Sequence, residues 1–352
     1  MANASKRLLD RLHERLPDGQ RRALRTAVSL AKRQSVDLYL VGGAVRDLLL
    51  AETHLDLDFV VEGDALALAT AVGERLDARV VTHPRFGTAA VEGADCSLDL
   101  AQARSESYPH PGALPIVRPA LLSEDLARRD FSINAMALRL SGANAGELID
   151  PHGGRRDLRA RQLRVLHDES FQDDATRILR AVRYVERLQF RLERRTRSLL
   201  RRDASCIDTI GGARVRHELE RIADEERVAA IVRLAAKLDL LETIHPALRV
   251  DGRVLRALRR LPSLAASHRD AVLFCLLLAA ASPADAEGAI GRLALTGRQA
   301  AAAGGMLALR AHEQALSAPQ LQPSEAERML SARPPEAIEA FTRAVTIDPT
   351  HA

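Results

Sequence analysis

Two aspartates one residue apart, Asp56 and Asp58, sit in the apolar stretch LDLDFVV, downstream of a glycine pair, Gly42-Gly43, and an Arg46-Asp47 pair. In a strand, alternate side chains share a face, so the two carboxylates are expected together while Leu57 and Phe59 enter the core on the other side. Carboxylates that close repel unless a cation lies between them. Magnesium suits the role, because it prefers oxygen ligands and leaves positions open for phosphates. One such ion can lower the pKa of an attacking hydroxyl while a second holds a triphosphate and its leaving group. Gly42 and Gly43 would let backbone N–H groups approach an anion with no Cβ in the way. The helix expected next aims its positive end at the same spot, and Arg46 offers a fork for a phosphate. The combination points to phosphoryl chemistry on a nucleotide. Taken apart, the acids read as a solvated strand edge and the glycines as a strand-to-helix turn with a surface Arg46–Asp47 pair. Asp99, in SLDLA, either completes the metal site, orients a ligand or lies on the surface.

A second polar group lies in EDLARRDFSINAMA, residues 124–137. Asp130 can accept from ribose hydroxyls, and Arg129 and Asn134 can donate to phosphate or sugar oxygens; the competing reading makes Asp130 a helix cap. Further on, Asp174 and Arg177 would share a face if both lie on a helix. A carboxylate beside a guanidinium matches an exocyclic amine beside a ring acceptor, which cytosine and adenine present and guanine and uracil do not; donor and acceptor pattern likewise underlies groove readout. The alternative is a solvated i,i+3 ion pair. Arg180 and Arg183 continue along the same segment as candidates for nucleotide phosphate or RNA backbone, or as a solvated basic face.

Several elements must position these residues. Residues 5–34 read as one or two helices, broken near Pro17-Asp18-Gly19. Strands are expected at 37–41, 55–61, 79–82, 88–91 and 97–101, with helices over 44–50 and from a cap at Asp64 to about Leu76. Residues 105–121 carry Pro109, Pro111, Gly112, Pro115 and Pro119 and read as a loop. A short helix over 131–137 precedes a strand near 138–140. Past Asp150-Pro151-His152-Gly153-Gly154 the strand signals fade and helical periodicity takes over, with turns near Gly211-Gly212, Pro246, Pro262, Pro283 and Pro334-Pro335. The expected class is α+β: an N-terminal helical segment (1–34), a catalytic head (35–150), a helical neck (151–225) and a helical body (226–352).

The whole chain fits that division. Its 352 residues suffice for two or three cores. Aromatics make up 3%, so base-stacking platforms are not expected to dominate any RNA binding. The net charge of +4 suits a nucleic-acid partner. Lys6, Lys32 and Lys237 are the only lysines; the arginine excess fits genomic base composition as well as bidentate phosphate recognition. Cys96, Cys206 and Cys275 are isolated, which argues against zinc and a disulfide framework. The N-terminus reads as an amphipathic helix rather than a signal peptide. The longest apolar run, 271–281, is too short to span a bilayer, so a cytoplasmic location without membrane is expected. No motif bears on oligomeric state.

The segments LVGGAVRDLLL with DLDFVV, RRDFSINAMA, DPHGGRRDL and DDATRILRAVRY, in that order, strongly resemble the bacterial-type (class II) tRNA nucleotidyltransferase and poly(A) polymerase family over about 37–225. The resemblance implies a polymerase-β-like head followed by neck and body helices, and template-free addition of nucleotides to RNA 3′ ends. It implies Asp56 and Asp58 as magnesium ligands in a two-metal site, and Gly42, Gly43, Arg46 and Asp47 around the triphosphate. It also implies Arg129, Asp130 and Asn134 around ribose and phosphates, and Asp174 with Arg177 reading the base of ATP or CTP. Asp150, Gly154 and Asp157 would form a hinge between head and neck. The implied partner is the tRNA acceptor arm, gripped by the arginine-rich helices through shape and phosphates.

The chain departs from the family in three places. Asp173 and Ala175 replace the usual Glu and Pro around Asp174. The segment between Arg104 and Arg128 lacks the Asp-His-Arg-Arg-Pro-like element often seen in enzymes that add all three nucleotides. A tail is expected to be short or absent. Addition of CCA, of CC, of A alone and of poly(A) all remain open, as, more distantly, does a non-catalytic RNA-binding relative; the intact Asp56 and Asp58 argue against the last. Nucleotide transfer to a small molecule fits poorly with the long basic helical part. His268 is not part of an HD phosphohydrolase pair.

Overall fold

A computed structural model describes residues 2–52, 55–316, 322–331 and 333–345. The chain separates into two compact units, one formed by residues up to Ser170 except 110–113, the other by 110–113 and the residues from Phe171 on. Residues 1–34 and 151–170 thus belong to the unit that holds the sheet.

In chain order the first unit comprises α1 (Ala2–Arg15), α2 (Asp18–Arg33), β1 (Asp37–Val41), α3 (Gly43–Leu50), β2 (Asp58–Glu62), α4 (Ala65–Leu76), β3 (Arg79–His83), β4 (Thr88–Glu92) and β5 (Ser97–Gln102). It continues with β6 (Arg104–Ser107), β7 (Ile116–Pro119), α5 (Leu122–Ala127), β8 (Ala137–Arg139), β9 (Leu148–Ile149) and α6 (Gly154–Arg159). Seven strands form one sheet in the order β3-β4-β5-β2-β1-β8-β9. β2 and β5 run parallel, with Asp58 opposite Asp99; β1 pairs antiparallel with both β2 and β8.

Alternation explains the layers. Tyr39, Val41, Val60, Ala103 and Ala137 bury one sheet face beneath Leu122 and Leu126 of α5, while α2 and α4 pack on the sheet through β1, β4 and β5. Glu62 locks α5 in place: its carboxylate accepts from the Leu122 N–H at 2.6 Å and from the Tyr39 hydroxyl at 2.9 Å. Asp64 accepts from the Ala67 N–H at 2.9 Å, the cap expected for α4.

Three expectations need correction. The strand expected over 55–61 starts at Asp58. Leu55 and Leu57 are buried and Asp56 is exposed, so the alternation reaches further back than the ladder. The ladder stops because β1 ends at Val41, where the glycine turn leads away. Residues 105–121 are not wholly a loop: β6 and β7 form a separate antiparallel hairpin, Arg104 opposite Pro119, tolerated because a two-stranded ribbon gives a proline an unpaired edge. The helix expected over 131–137 is a single tight turn, Ser132–Asn134.

The second unit is built of helices: α7 (Ser170–Asp173, its first residue in the first unit), α8 (Thr176–Arg187), α9 (Arg194–Asp203), α10 (Gly212–Ala223), α11 (Val228–Lys237), α12 (Leu240–Ile244), α13 (Gly252–Leu258), α14 (Ala266–Leu277), α15 (Pro283–Arg292), α16 (Gly297–Ala311), α17 (Glu313–Leu316), α18 (Pro323–Leu330) and α19 (Pro335–Val345). The apolar run noted in the sequence is the buried C-terminal half of α14 and the four residues after it; α14 packs against α10, α16 and α19. Among the described residues no helix is long and apolar enough to cross a membrane.

Candidate active site

The parallel pairing of β2 with β5 places Asp58 beside Asp99 at one end of the sheet, on the α5 face, with Asp56 just before β2. Two backbone bonds fix the acids: the Asp58 N–H donates to the Asp56 carbonyl at 3.2 Å, and the Asp99 N–H to the Leu57 carbonyl at 3.0 Å. Burial, then the Asp99 and Asp56 carboxylates, push the Asp58 carboxyl up to about 6, with Arg129 and Arg46 pulling the other way. Burial and then Asp56 and Glu92 raise Asp99 as well.

A cleft of about 360 Å³ opens over this face. Asp58 and Asp99 line it together with Arg104, Arg128 and Arg129, and so do His83 and Thr88. The sequence did not single out what holds the arginines: Asp125, fully buried on α5. Its carboxylate accepts from Arg128 at 2.6 Å and from Arg129 at 2.8 Å. Burial alone would raise the Asp125 carboxyl; Arg129 and Arg128 outweigh it and hold the group below the usual carboxylate range. Arg128 also donates to Glu106 at 2.8 Å and to the Arg104 carbonyl at 3.1 Å. The signal was present, since Asp125 stands three and four residues before the arginines at helical spacing.

The glycine turn lies against one of these arginines. Gly42 has φ +65, and a Cβ there would sit 2.6 Å from Nη1 of Arg129. Its N–H is taken by the Met136 carbonyl at 3.2 Å, which corrects its expected role as an anion donor. The donors a helix leaves free are those of its first turn, which starts here at Gly43. Arg46 is corrected too. It is 2% exposed, grips Asp47 with two nitrogens at 2.8 Å each, and donates Nη1 to the Asn134 carbonyl oxygen Oδ1 at 2.6 Å. Asn134 in turn donates to Asp130 at 3.0 Å, and Asp130 accepts from the Phe131 N–H at 2.8 Å. Arg46 is therefore a buried strut joining the glycine turn to the Asp130–Asn134 turn, because an arginine without solvent needs several acceptors. Gly42→Ala is expected to cost about 1–3 kcal/mol in backbone strain, and more as Arg129 is displaced. Thermal melting would show the loss, and a wild-type melting temperature would contradict it.

Asp150, Gly154 and Asp157 form a bracket within the first unit. Asp150 caps α6 by accepting from the Gly154 and Arg155 N–H groups at 2.6 and 3.0 Å. A Cβ on Gly154 would meet the Ser132 carbonyl at 2.3 Å. Buried Asp157 accepts from Ser132 Oγ at 2.6 Å and Arg164 at 2.7 Å.

In the second unit, Asp174 and Arg177 are one helical turn apart: the Arg177 N–H donates to the Asp174 carbonyl at 3.0 Å. Asp174 lies between α7 and α8, where its Oδ1 accepts from the Thr176 N–H and hydroxyl at 3.0 and 2.7 Å and from Arg214 at 2.7 Å. Arg177 is in the first turn of α8 and 4% exposed. The short Asp174 side chain thus takes up a backbone donor at the start of α8 as well as a guanidinium. Arg214 comes from α10, a long-range contact that spacing could not reveal. Arg183, expected at a phosphate, is 6% exposed and bonded to Glu225 and Glu218 at 3.2 and 3.4 Å. Arg180 donates to Glu218 at 3.4 Å and lies over the Tyr184 ring. Both arginines anchor α8 to α10 and its C-terminal flank.

Residues 38–164 match the family described as "Poly A polymerase head domain", and residues 189–251 the one described as "Probable RNA and SrmB- binding site of polymerase A". The chain is 42% identical over 226 residues to the A-adding tRNA nucleotidyltransferase of Halalkalibacterium halodurans, covering 63% of this chain and 53% of that protein. It is 46% identical over 177 residues to the CC-adding tRNA nucleotidyltransferase of Deinococcus radiodurans, covering 48% and 46%. A solved structure described as an apo form of a CCA-adding enzyme superposes with a TM-score of 0.82 at 29% identity, covering 96% of this chain and 82% of that one. The chain spans about half the length of these two curated relatives. It belongs to the tRNA nucleotidyltransferase and poly(A) polymerase family.

Proposed function

We propose that this chain is a template-independent tRNA nucleotidyltransferase. It joins the RNA 3′-OH to the α-phosphate of CTP or ATP, releases pyrophosphate, and so adds all or part of CCA to tRNA 3′ ends. The observation that carries this reading is the acidic pair Asp58 and Asp99, with Asp56 just before it, sharing one cleft with Arg104, Arg128 and Arg129 in a head of this family. Acids and guanidiniums lining one cleft suit a triphosphate whose charge must be held while one bond is exchanged.

The residues fit magnesium. Asp58 carries a carboxyl raised by burial and then by its acidic neighbours, a penalty that a cation would offset. Among the described residues no three His, Cys, Asp or Glu side chains form a ready metal cage; a site completed by water and substrate phosphates is how magnesium binds. Asp56, Asp58 and Asp99 would hold it, as a two-ion site with substrate bound. There it would supply Lewis acidity to the phosphate and acidify the attacking hydroxyl. Arg129 lies where it can donate to phosphate oxygens. Arg46 and Asp47 hold the glycine turn in shape, and Asp130 and Asn134 fix the turn that supports it.

For the base we propose Asp174 as acceptor for the exocyclic amine and Arg177 as donor to the ring acceptor, with Arg214 holding the Asp174 carboxylate in orientation. Arg180 and Arg183 brace the helix that carries Arg177. Asp150, Gly154 and Asp157 are proposed to transmit motion between head and neck. The tRNA acceptor arm is the proposed RNA partner, bound through phosphates and therefore weakened by salt, and the proposed setting is the cytoplasm. Arg177→Ala should raise GTP and UTP incorporation relative to ATP about tenfold or more, given the worth of one bidentate base contact. That ratio is insensitive to the fraction of folded enzyme, and an unchanged ratio would remove Arg177 from base reading.

A narrower reading, addition of A alone, is favoured by the 42% identity to an A-adding relative. The missing Asp-His-Arg-Arg-Pro-like element between Arg104 and Arg128 favours partial addition generally. One experiment separates these: Mg²⁺ and labelled CTP or ATP with tRNA transcripts ending at the discriminator base, at C, or at CC. Addition of A to the CC-ended RNA alone selects the narrower reading. Incorporation of neither nucleotide into any of the three overturns the proposal.

A further inference from the structure

Exposed aromatic side chains are scarce in this protein. Among the described residues Phe86 is the exposed aromatic, at 46%, and the other exposed large hydrophobic side chains are Leu114, Ile116 and Leu121. It occupies the tight turn Pro84–Phe86 between β3 and β4. His83 and Thr88, which flank this turn and pair across its base, line the same cleft as Asp58 and Asp99.

The turn is held from the cleft side. Arg104, which also lines this cleft, donates Nη1 to the Phe86 carbonyl at 3.2 Å. The Gln102 N–H donates to the Gly87 carbonyl at 2.8 Å, and Gly87 takes φ +60, where a Cβ would lie 3.2 Å from Gln102. Glycine thus allows the sharp exit that presents the ring. Arg85 lies 5.7 Å from the ring centroid, adding a cation beside an apolar plane. The ring is held on a constrained turn whose flanking residues His83 and Thr88 line the cleft, and a flat apolar face set there suits a ligand with its own flat face.

We propose that Phe86 is the stacking platform for the 3′-terminal base of the RNA. It would hold that nucleoside so that its 3′-OH lies at the Asp58–Asp99 face, with Arg85 available to the adjoining phosphate. This rests on the reading of the chain as a 3′-end nucleotidyltransferase. Stacking is tolerant of base identity, which suits an enzyme whose acceptor end changes as it grows. The role is positioning of the acceptor, distinct from the reading of the incoming base by Asp174 and Arg177.

The test uses the full chain and tRNA transcripts in which 2-aminopurine, a base whose fluorescence is quenched on stacking, replaces the terminal C of a CC end. Wild type and Phe86→Trp should quench it; Phe86→Ala and Phe86→Leu should not. In turnover, Phe86→Ala should raise KM for tRNA roughly five- to a hundred-fold, the range of one aromatic–base stack, and leave KM for ATP unchanged. Equal quenching by wild type and Phe86→Ala overturns the proposal, as does full rescue by Phe86→Leu, which supplies apolar area without a π face. Melting temperatures should match across the set because the ring is exposed; a large drop would instead give the ring a structural part and also overturn it. Because quenching needs no turnover, a wild type that quenches but never incorporates nucleotide contradicts the proposed function and not the stacking subsite.

Discussion

Asp58→Asn is expected to lower nucleotide incorporation on the order of 10³-fold or more, the scale of losing a charge that acts on the transition state, while tRNA binding stays near wild type. The same substitution should stabilise the metal-free protein at neutral pH. In the folded chain the Asp58 carboxyl titrates at about 6, above its model-peptide value of 3.8, because burial, Asp99 and Asp56 disfavour its charge. A raised carboxyl pKa means the folded state binds more protons than the unfolded one between those values. Its contribution to stability is complete below 3.8 and is lost as pH rises to about 6. At pH 7.5 the wild type thus carries a penalty of up to roughly 3 kcal/mol that the asparagine removes. Metal-free melting at pH 7.5 should place the variant higher, with the gap closing near pH 4. A variant that melts lower at pH 7.5, or that still adds nucleotides at the wild-type rate, contradicts the assignment.

Asp125→Asn carries the largest expected stability loss. Asp125 is wholly buried and neutralises Arg128 and Arg129, which are themselves mostly covered. Removing its charge leaves two guanidiniums facing one weak acceptor, a change that typically costs about 3–5 kcal/mol. Here the linkage runs the other way. The Asp125 carboxyl is held low, so its contribution is present above the unfolded-state pKa and is lost as pH falls through the lower folded value. Urea unfolding at pH 7.5 should show a reduced midpoint for the variant, and wild type should lose more stability than the variant on acidification. A loss under about 1 kcal/mol would mean that solvent, not Asp125, balances the arginines.

Much of the acidic face is legible in the sequence because it depends on local pattern. Period-two burial of Leu55, Leu57 and Phe59 sets Asp56 and Asp58 on the opposite side even where the ladder has not begun. Asp99 could be read as an acid on a strand, but its place beside Asp58 depends on β5 pairing parallel to β2, which no local signal specifies. Arginines are the hardest side chains to place from sequence. Arg46 and Arg183 look like phosphate forks in a sequence, yet both are buried and committed to acids distant in the chain or adjacent on the helix. Charge alone does not distinguish a ligand-binding guanidinium from a strut; burial does, because a guanidinium out of water must spend its donors on the protein. Asp174 holds Arg214 of α10, a pairing across 40 residues that no local spacing signals.

The central claim is that the Asp58–Asp99 face binds the divalent cation that nucleotide transfer requires. Mn²⁺ binding, measured by electron paramagnetic resonance with and without ATP, tests it most directly for wild type, Asp58→Asn and Asp99→Asn. Wild type should bind Mn²⁺ at pH 7.5, more tightly with ATP present, and lose affinity as pH falls below about 6, where Asp58 takes up its proton. Asp58→Asn should lose most of that binding. Equal Mn²⁺ affinity in wild type and Asp58→Asn, or affinity that does not weaken on acidification, would contradict it.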